Sequence, residues 1–208
     1  MTDYFWDFDG TLYNTYPGMV RAFVDACIAY GVKTDHLAVY RIMRQKSLHQ
    51  AFDLFLTGVD LEKKQAIIKK YTSIEELEQV NAVPFDGAAA ICQQVATQGD
   101  RNFLVTHRDK SACRLLERDQ LKPVFTAYVT SANHFPRKPD PTSLNYLCKQ
   151  YQVDKTDAFM VGDRELDIVA AQRAGIKGIL FDPDTLITSA VRPERRIKHF
   201  SELLEKPL

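Results

Sequence analysis

The chain begins with a short apolar run, Tyr4-Phe5-Trp6, that stops at Asp7-Phe8-Asp9-Gly10. Aromatic enrichment ended by a glycine predicts a buried strand. Beyond Asn14-Thr15 the apolar period lengthens. Val20, Phe23, Val24, Cys27 and Ile28 recur at helical spacing, with Pro17 in the first turn and Gly31 past the end, which predicts an amphipathic helix. Three more helical segments are expected behind plausible N-caps: Thr34 before 35–46, Ser47 before 48–57 and Asp60 before 61–71. Ser73-Ile74-Glu75-Glu76 has the form of a capping box, which predicts that a fresh helix starts there and runs toward Pro84. Residues 14–84 therefore form an all-helical insert. The aromatic pair Phe52 and Phe55 is expected in its core, and charges such as Lys63, Lys64, Lys69 and Lys70 on its solvated faces.

From Pro84 onward helices and strands alternate. Helix 86–98 closes at Gly99, then come strand 102–106, helix 110–118, strand 127–130, helix 141–151 and strand 158–161. Helix 166–174, closed by Gly175, strand 178–181, a short basic strand near Arg196 and a last helical turn complete the series. Short apolar strands separated by helices belong to a parallel sheet covered on both faces. The expected fold class is α/β, a doubly wound parallel core of residues 1–13 and 85–208 with the insert 14–84 between its first two strands.

Composition narrows the function. Over 208 residues the 27 basic and 27 acidic side chains cancel, so there is no positive surplus for a nucleic-acid backbone and nucleic acid is not expected as a partner. No run approaches the roughly 20 apolar residues of a membrane span, and the start, Met1-Thr2-Asp3-Tyr4, lacks a signal-peptide pattern. A cytoplasmic protein without a membrane partner is expected. Cys27, Cys92, Cys113 and Cys148 follow no metal or redox spacing and are expected to be reduced core residues.

In an open parallel sheet, ligands bind beyond the carboxyl ends of the strands. The polar residues that end the apolar runs are Asp7 and Asp9, Thr106 and His107, then Lys138, and Asp163 with Asp167 nearby. Two apart on a strand, Asp7 and Asp9 would share a face about 7 Å apart, with Gly10 turning the backbone beside them. Such carboxylates repel by about 3 kcal/mol at 5 Å and an effective dielectric near 20, which calls for a cation. All-oxygen ligation suits Mg²⁺. With a lysine and a hydroxyl in the same crevice, the set makes a phosphate site in which one carboxylate attacks phosphorus and another moves the proton.

Asp7-Phe8-Asp9-Gly10-Thr11-Leu12, Val105-Thr106, Lys138-Pro139-Asp140-Pro141 and Gly162-Asp163 with Asp167 resemble, in order, the four motifs of the haloacid dehalogenase superfamily. The resemblance implies a Rossmann-like core with residues 14–84 as the family's cap, and Mg²⁺ as cofactor. It implies Asp7 as nucleophile and metal ligand, Asp9 as acid/base that also meets the metal through its main-chain carbonyl, and Thr106 and Lys138 as phosphate holders. Asp163 would be a further ligand and Asp167 would order metal-bound water or Lys138. Gly10, Thr106, His107 and Lys138 are the expected substrate contacts in the core, Arg41 and Arg44 those in the insert; Arg21, Lys46 and His49 are further basic positions there. The carboxylate at Asp9 favours phosphate esters over haloacids or phosphonates, and Met19 stands where β-phosphoglucomutase-like members usually carry histidine. Leu12-Tyr13-Asn14-Thr15 is similar to the cap entry of phosphoglycolate-phosphatase-like members. The reading is a phosphatase of small phosphomonoesters working through an aspartyl-phosphate. The alternatives are a phosphomutase, a phosphoacceptor receiver, and a silent phosphate binder of the same fold.

Overall fold

A computed structural model of the chain describes residues 1–204; the last four residues of the expected core lie outside the described residues. The chain divides into two compact units, residues 1–13 with 84–208, and residues 14–83.

Among the described residues the first unit is built on six parallel strands: β1 (Asp3–Trp6), β2 (Arg101–Val105), β3 (Phe125–Val129), β4 (Ala158–Gly162), β5 (Lys177–Phe181) and β6 (Arg195–Ile197). Their spatial order is β3-β2-β1-β4-β5-β6. The winding reverses at β1, which pairs with β2 on one side and β4 on the other. That is the topological switch point where ligands sit in such sheets. Helices α5 (Ala88–Thr97), α6 (Ser111–Arg118), α7 (Thr142–Gln150) and α8 (Glu165–Ala174) connect the strands.

Alternation along β1 sends Phe5 and Trp6 to opposite faces. Phe5 stacks on Phe103 at 4.9 Å and joins Leu144, Leu147, Ala170 and Ala171 from α7 and α8. Trp6 packs toward Phe200 and donates its indole N–H to Asn102 Oδ1 at 2.8 Å, whose amide reaches the Cys92 carbonyl on α5. Both rings are wholly buried, each contributing on the order of 2 kcal/mol from burial.

The second unit packs α1 (Tyr16–Ala29), α2 (His36–Gln45), α3 (Leu48–Phe55) and α4 (Leu61–Gln79) around Val20, Phe23, Cys27, Val39, Met43, Phe52, Ile67 and Tyr71. Phe55 is only partly buried against this cluster. Ser47 and Asp60 cap α3 and α4, but two expectations fail here. The cap of α2 is Asp35, not Thr34: the Asp35 carboxylate accepts the Ala38 N–H at 2.8 Å. No helix begins at Ser73. Its hydroxyl, like that of Thr72, bonds back to the carbonyl one turn earlier, the alternative that Ser and Thr take inside a helix, and α4 runs through without a break. All four cysteines are free, with Cys113 only half-buried. Among the described residues no helix is long and apolar enough to cross a membrane.

Candidate active site

Sheet pairing continues one residue past β1, because the Asp7 N–H donates to the Val161 carbonyl at 2.9 Å. The carboxylate of Asp7 is thereby fixed at the switch point, and it is buried. The chain then leaves the strand direction. Residues 8–13 close on themselves through Thr11 and Tyr13 N–H bonds to the Phe8 carbonyl and a Gly10 N–H bond to Tyr13. Gly10 makes the turn at φ 77°, a region that costs most residues a steric penalty but glycine none. Tyr13 anchors it, its hydroxyl donating to Asp119 at 2.6 Å. Asp7 and Asp9 therefore do not share a strand face as the i, i+2 spacing predicts.

Lys138 joins the strand ends. Its Nζ lies 2.8 Å from Asp7 Oδ1 and 2.7 Å from Asp167 Oδ1, and donates to the Val105 carbonyl at 3.0 Å. Asp7, Asp163 and Asp167 each offer a carboxylate oxygen within 4.8 Å of the others, all three residues buried. Thr11 donates toward Asp163 at 3.4 Å, and Arg164 Nε stands 4.0 Å from the same oxygen. Asp167 Oδ2 accepts the Arg164 N–H at 3.2 Å, at the first turn of α8, where a carboxylate is favoured by the helix dipole. Gly162 is required for this approach: a Cβ there would fall 2.3 Å from Asp167 Cβ.

Burial works to raise the Asp7 carboxyl, but Lys138 and Arg164 outweigh it and hold the group below the ordinary carboxylate value. Burial raises Asp167, and the charge of Asp7 adds to it, so its carboxyl sits above the ordinary value despite Lys138. For Lys138 burial pulls down, and the two carboxylates more than reverse it. One ammonium thus serves two acids, and it outweighs burial at Asp7 but not at Asp167.

Thr106 is buried at the end of β2. Its hydroxyl oxygen accepts the Arg108 N–H at 3.0 Å, leaving its own O–H to donate elsewhere. His107 Nε2 accepts the main-chain N–H of Lys138 at 2.7 Å. Burial, aided by Lys138, pushes the ring down to about 3, so it is neutral near pH 7 with its proton on Nδ1. Its Nε2 is a support for the Lys138 loop, not a donor to substrate.

Asp9 stands apart from the three-acid group. Arg108 holds its carboxylate, Nε to Oδ1 at 2.9 Å and to Oδ2 at 3.0 Å, with NH2 2.7 Å from Oδ1. Arg41 and Arg44 belong to the helical unit. Arg41 is exposed; Arg44 is buried, its guanidinium 5.5 Å from the centre of the Tyr16 ring. Arg21 pairs with Glu78 at 3.2 Å. Sequence reasoning gave no role to Thr11, Arg164 or Arg108, although each directly flanks or follows a strand-end residue it selected.

The donor set fits a hard divalent cation. Among the described residues Asp7 Oδ2 is buried without a hydrogen-bond partner, the candidate ligands are all oxygens, and the three carboxylates offer oxygens within 4.8 Å of one another while the Lys138 ammonium pairs with two of them. All-oxygen sets of this kind are what hard divalent cations take.

Residues 4–181 match the family model of haloacid dehalogenase-like hydrolases. The chain belongs to this family. Its curated relatives include a phosphoglycolate phosphatase of Pseudomonas fluorescens Pf-5, 25% identical over 83% of this chain and 66% of that protein, so the chain spans just under two thirds of it. Another, from Rhodospirillum rubrum, is 28% identical over 82% of this chain and 75% of its own length. A hydrolase from Streptococcus pneumoniae TIGR4 superposes with a TM-score of 0.66 at 33% identity, covering 91% of this chain and 94% of its own. A predicted phosphoglycolate phosphatase from Haemophilus somnus 129PT shares the fold, with a TM-score of 0.82 at 17% identity over 98% and 96% of the two chains.

Proposed function

We propose that the chain is a Mg²⁺-dependent phosphatase of small phosphomonoesters that works through an aspartyl-phosphate on Asp7. The observation that carries this reading is the buried Asp7 carboxylate at the switch point, 2.8 Å from Lys138 and grouped with Asp163 and Asp167. Asp7 and Asp163 would hold the ion with Asp167 behind them, and Asp9 would add its main-chain carbonyl. When bound, Mg²⁺ offsets the charge of the carboxylates and of the phosphoryl oxygens.

Thr106 O–H and Lys138 Nζ bind the phosphoryl oxygens and orient phosphorus toward Asp7. An Asp7 oxygen forms the bond to phosphorus as the ester P–O bond breaks, and Asp9 gives its proton to the departing oxygen. Asp9, now a carboxylate, takes a proton from water. That oxygen attacks the aspartyl-phosphate, releasing inorganic phosphate and restoring Asp7. Residues 14–83 act as the cap that selects the leaving group, with the exposed Arg41 the residue we assign to an anionic substrate tail, since Arg44 is buried against Tyr16. The relatives' activity suggests small carboxylated phosphates as the first class to try.

The test is phosphate release from glycolate, sugar, nucleotide and cofactor monophosphates with Mg²⁺. Turnover should cease in excess chelator and return with Mg²⁺. Asp7→Asn should remain folded and release nothing; undiminished release by this variant would refute the assignment.

A further inference from the structure

We propose that Arg108 is a positioning residue for proton transfer, setting the Asp9 carboxylate in the orientation from which it serves the leaving oxygen. The inference rests on Asp9 being the acid/base.

The guanidinium approaches Asp9 with Nε and NH2, at 2.9 and 2.7 Å from Oδ1, while Oδ2 takes one contact at 3.0 Å. Oδ1 is thus the anchored oxygen, and Oδ2 keeps the lone-pair capacity to carry the proton. Two guanidinium nitrogens on one carboxylate, one of them shared between its oxygens, restrict its rotation more than a single ammonium does.

Arg108 is itself held. Its guanidinium carbon lies 5.8 Å from the centre of the Phe8 ring, its NH1 reaches Ser111 Oγ at 3.4 Å, and Phe8 stacks on Tyr13 at 4.4 Å. The side chain is only 10% exposed, against 26% for Asp9. The same residue orients Thr106 through its main-chain N–H, so one short segment after β2 sets both a phosphate-holding hydroxyl and the proton carrier.

In the first half-reaction the P–O electron pair goes to the leaving oxygen as the proton crosses from Asp9 Oδ2. The carboxylate left behind is the species the Arg108 fork accommodates, so the fork is matched to the state that forms as the bond breaks.

The test uses two esters of similar size and different leaving-group basicity, phenyl phosphate and p-nitrophenyl phosphate. Phenol release is followed in single turnovers with Mg²⁺, which isolates the first half-reaction. Asp9→Ala and Arg108→Met should each slow phenyl phosphate by about 10²-fold or more and p-nitrophenyl phosphate by less than about 10-fold. The double variant should be no slower on phenyl phosphate than Asp9→Ala alone, because the fork acts only through that carboxylate. Arg108→Lys should recover part of the loss. If Asp9→Ala shows no dependence on the leaving group, the acid/base reading falls and the inference with it. If Asp9→Ala discriminates but Arg108→Met slows both esters equally, or the two losses multiply, the positioning role alone is overturned. Should Arg108→Met not fold, Arg108→Gln carries the same cycle.

Discussion

Lys138→Met removes the ammonium from the acid group while nearly preserving side-chain volume. In the wild type Nζ lies 2.8 Å from Asp7 and 2.7 Å from Asp167, with all three side chains at most 4% exposed. Without it, carboxylate oxygens within 4.8 Å of one another repel by about 3 kcal/mol per pair at an effective dielectric near 20. Breaking a buried ion pair from one side costs about 3–5 kcal/mol by the general experience of such sites. For a chain of this size each kcal/mol moves the melting temperature by roughly 2–4 °C, so at pH 7 without metal the variant should melt on the order of 10 °C lower. The deficit should depend on pH. Asp7 in the wild type is held below its ordinary 3.8, so its stabilising share is present above that value and lost as pH falls through the lower folded one. In the variant the lone carboxylates are pushed up and protonate early on acidification, which relieves the repulsion, so the two melting curves should converge toward pH 4. Mg²⁺ should restore part of the loss at pH 7, by about 2.7 kcal/mol at a hundredfold excess over its dissociation constant. Thermal melts of both proteins across pH, with and without Mg²⁺, provide the check. A variant melting within about 2 °C of wild type at pH 7 would refute the charged, mutually close acid group.

Gly162→Ala should cost several kcal/mol and most of the turnover, because the new Cβ lies 2.3 Å from Asp167 Cβ and Cγ and must drive that side chain off Lys138; urea melts and phosphate release measure both losses. His107→Leu should orphan the Lys138 N–H and lose about 1–3 kcal/mol, whereas His107→Gln, able to offer an acceptor at the same place, should lose less. The histidine has an ordinary value of 6.5 and about 3 in the fold, so the unfolded chain binds the extra proton between these values and stability falls as pH drops through that window. His107→Gln should flatten this part of the stability curve; an unchanged slope would contradict the neutral, buried ring.

The fold was legible because strands buried on both faces are short apolar runs, and a run that ends in Asp, Thr or Asp marks the carboxyl edge where ligands sit. Asp7, Thr106 and Asp163 were found that way from pattern alone. Lys138 and Asp167 lie just beyond the strand ends and were gathered by the same pattern, but the individual roles expected of them came from the ordered motifs of a family. The failures share one cause, that a local rule was applied where the backbone no longer obeys it. The i, i+2 argument for Asp7 and Asp9 assumes a strand that stops at Trp6. The capping box at Ser73 is a chemical pattern equally compatible with a helix interior, and the burial of Ile67, Tyr71 and Gln79 along one uninterrupted α4 decides between them.

Neighbouring residues in the site divide their labour between main chain and side chain, which is why residue type alone did not reveal it. Lys138 gives its N–H to His107 and its ammonium to Asp7 and Asp167. Asp167 gives one oxygen to that ammonium and the other to the Arg164 N–H, while pressing on Gly162. Arg108 gives its N–H to Thr106 and its guanidinium to Asp9. The Lys138 and Arg108 side chains and the Lys138–His107 bond join loops after different strands, while the Arg108–Thr106 and Arg164–Asp167 bonds brace single loops, so the ends of β1, β2 and β4 are held as one hydrogen-bonded circuit. In such a circuit single deletions do not add: the loss at one member includes the misplacement of the next. The geometry at Asp7 is therefore a property of the circuit, and residues such as His107 and Gly162 govern that geometry through the links they make with Lys138 and Asp167.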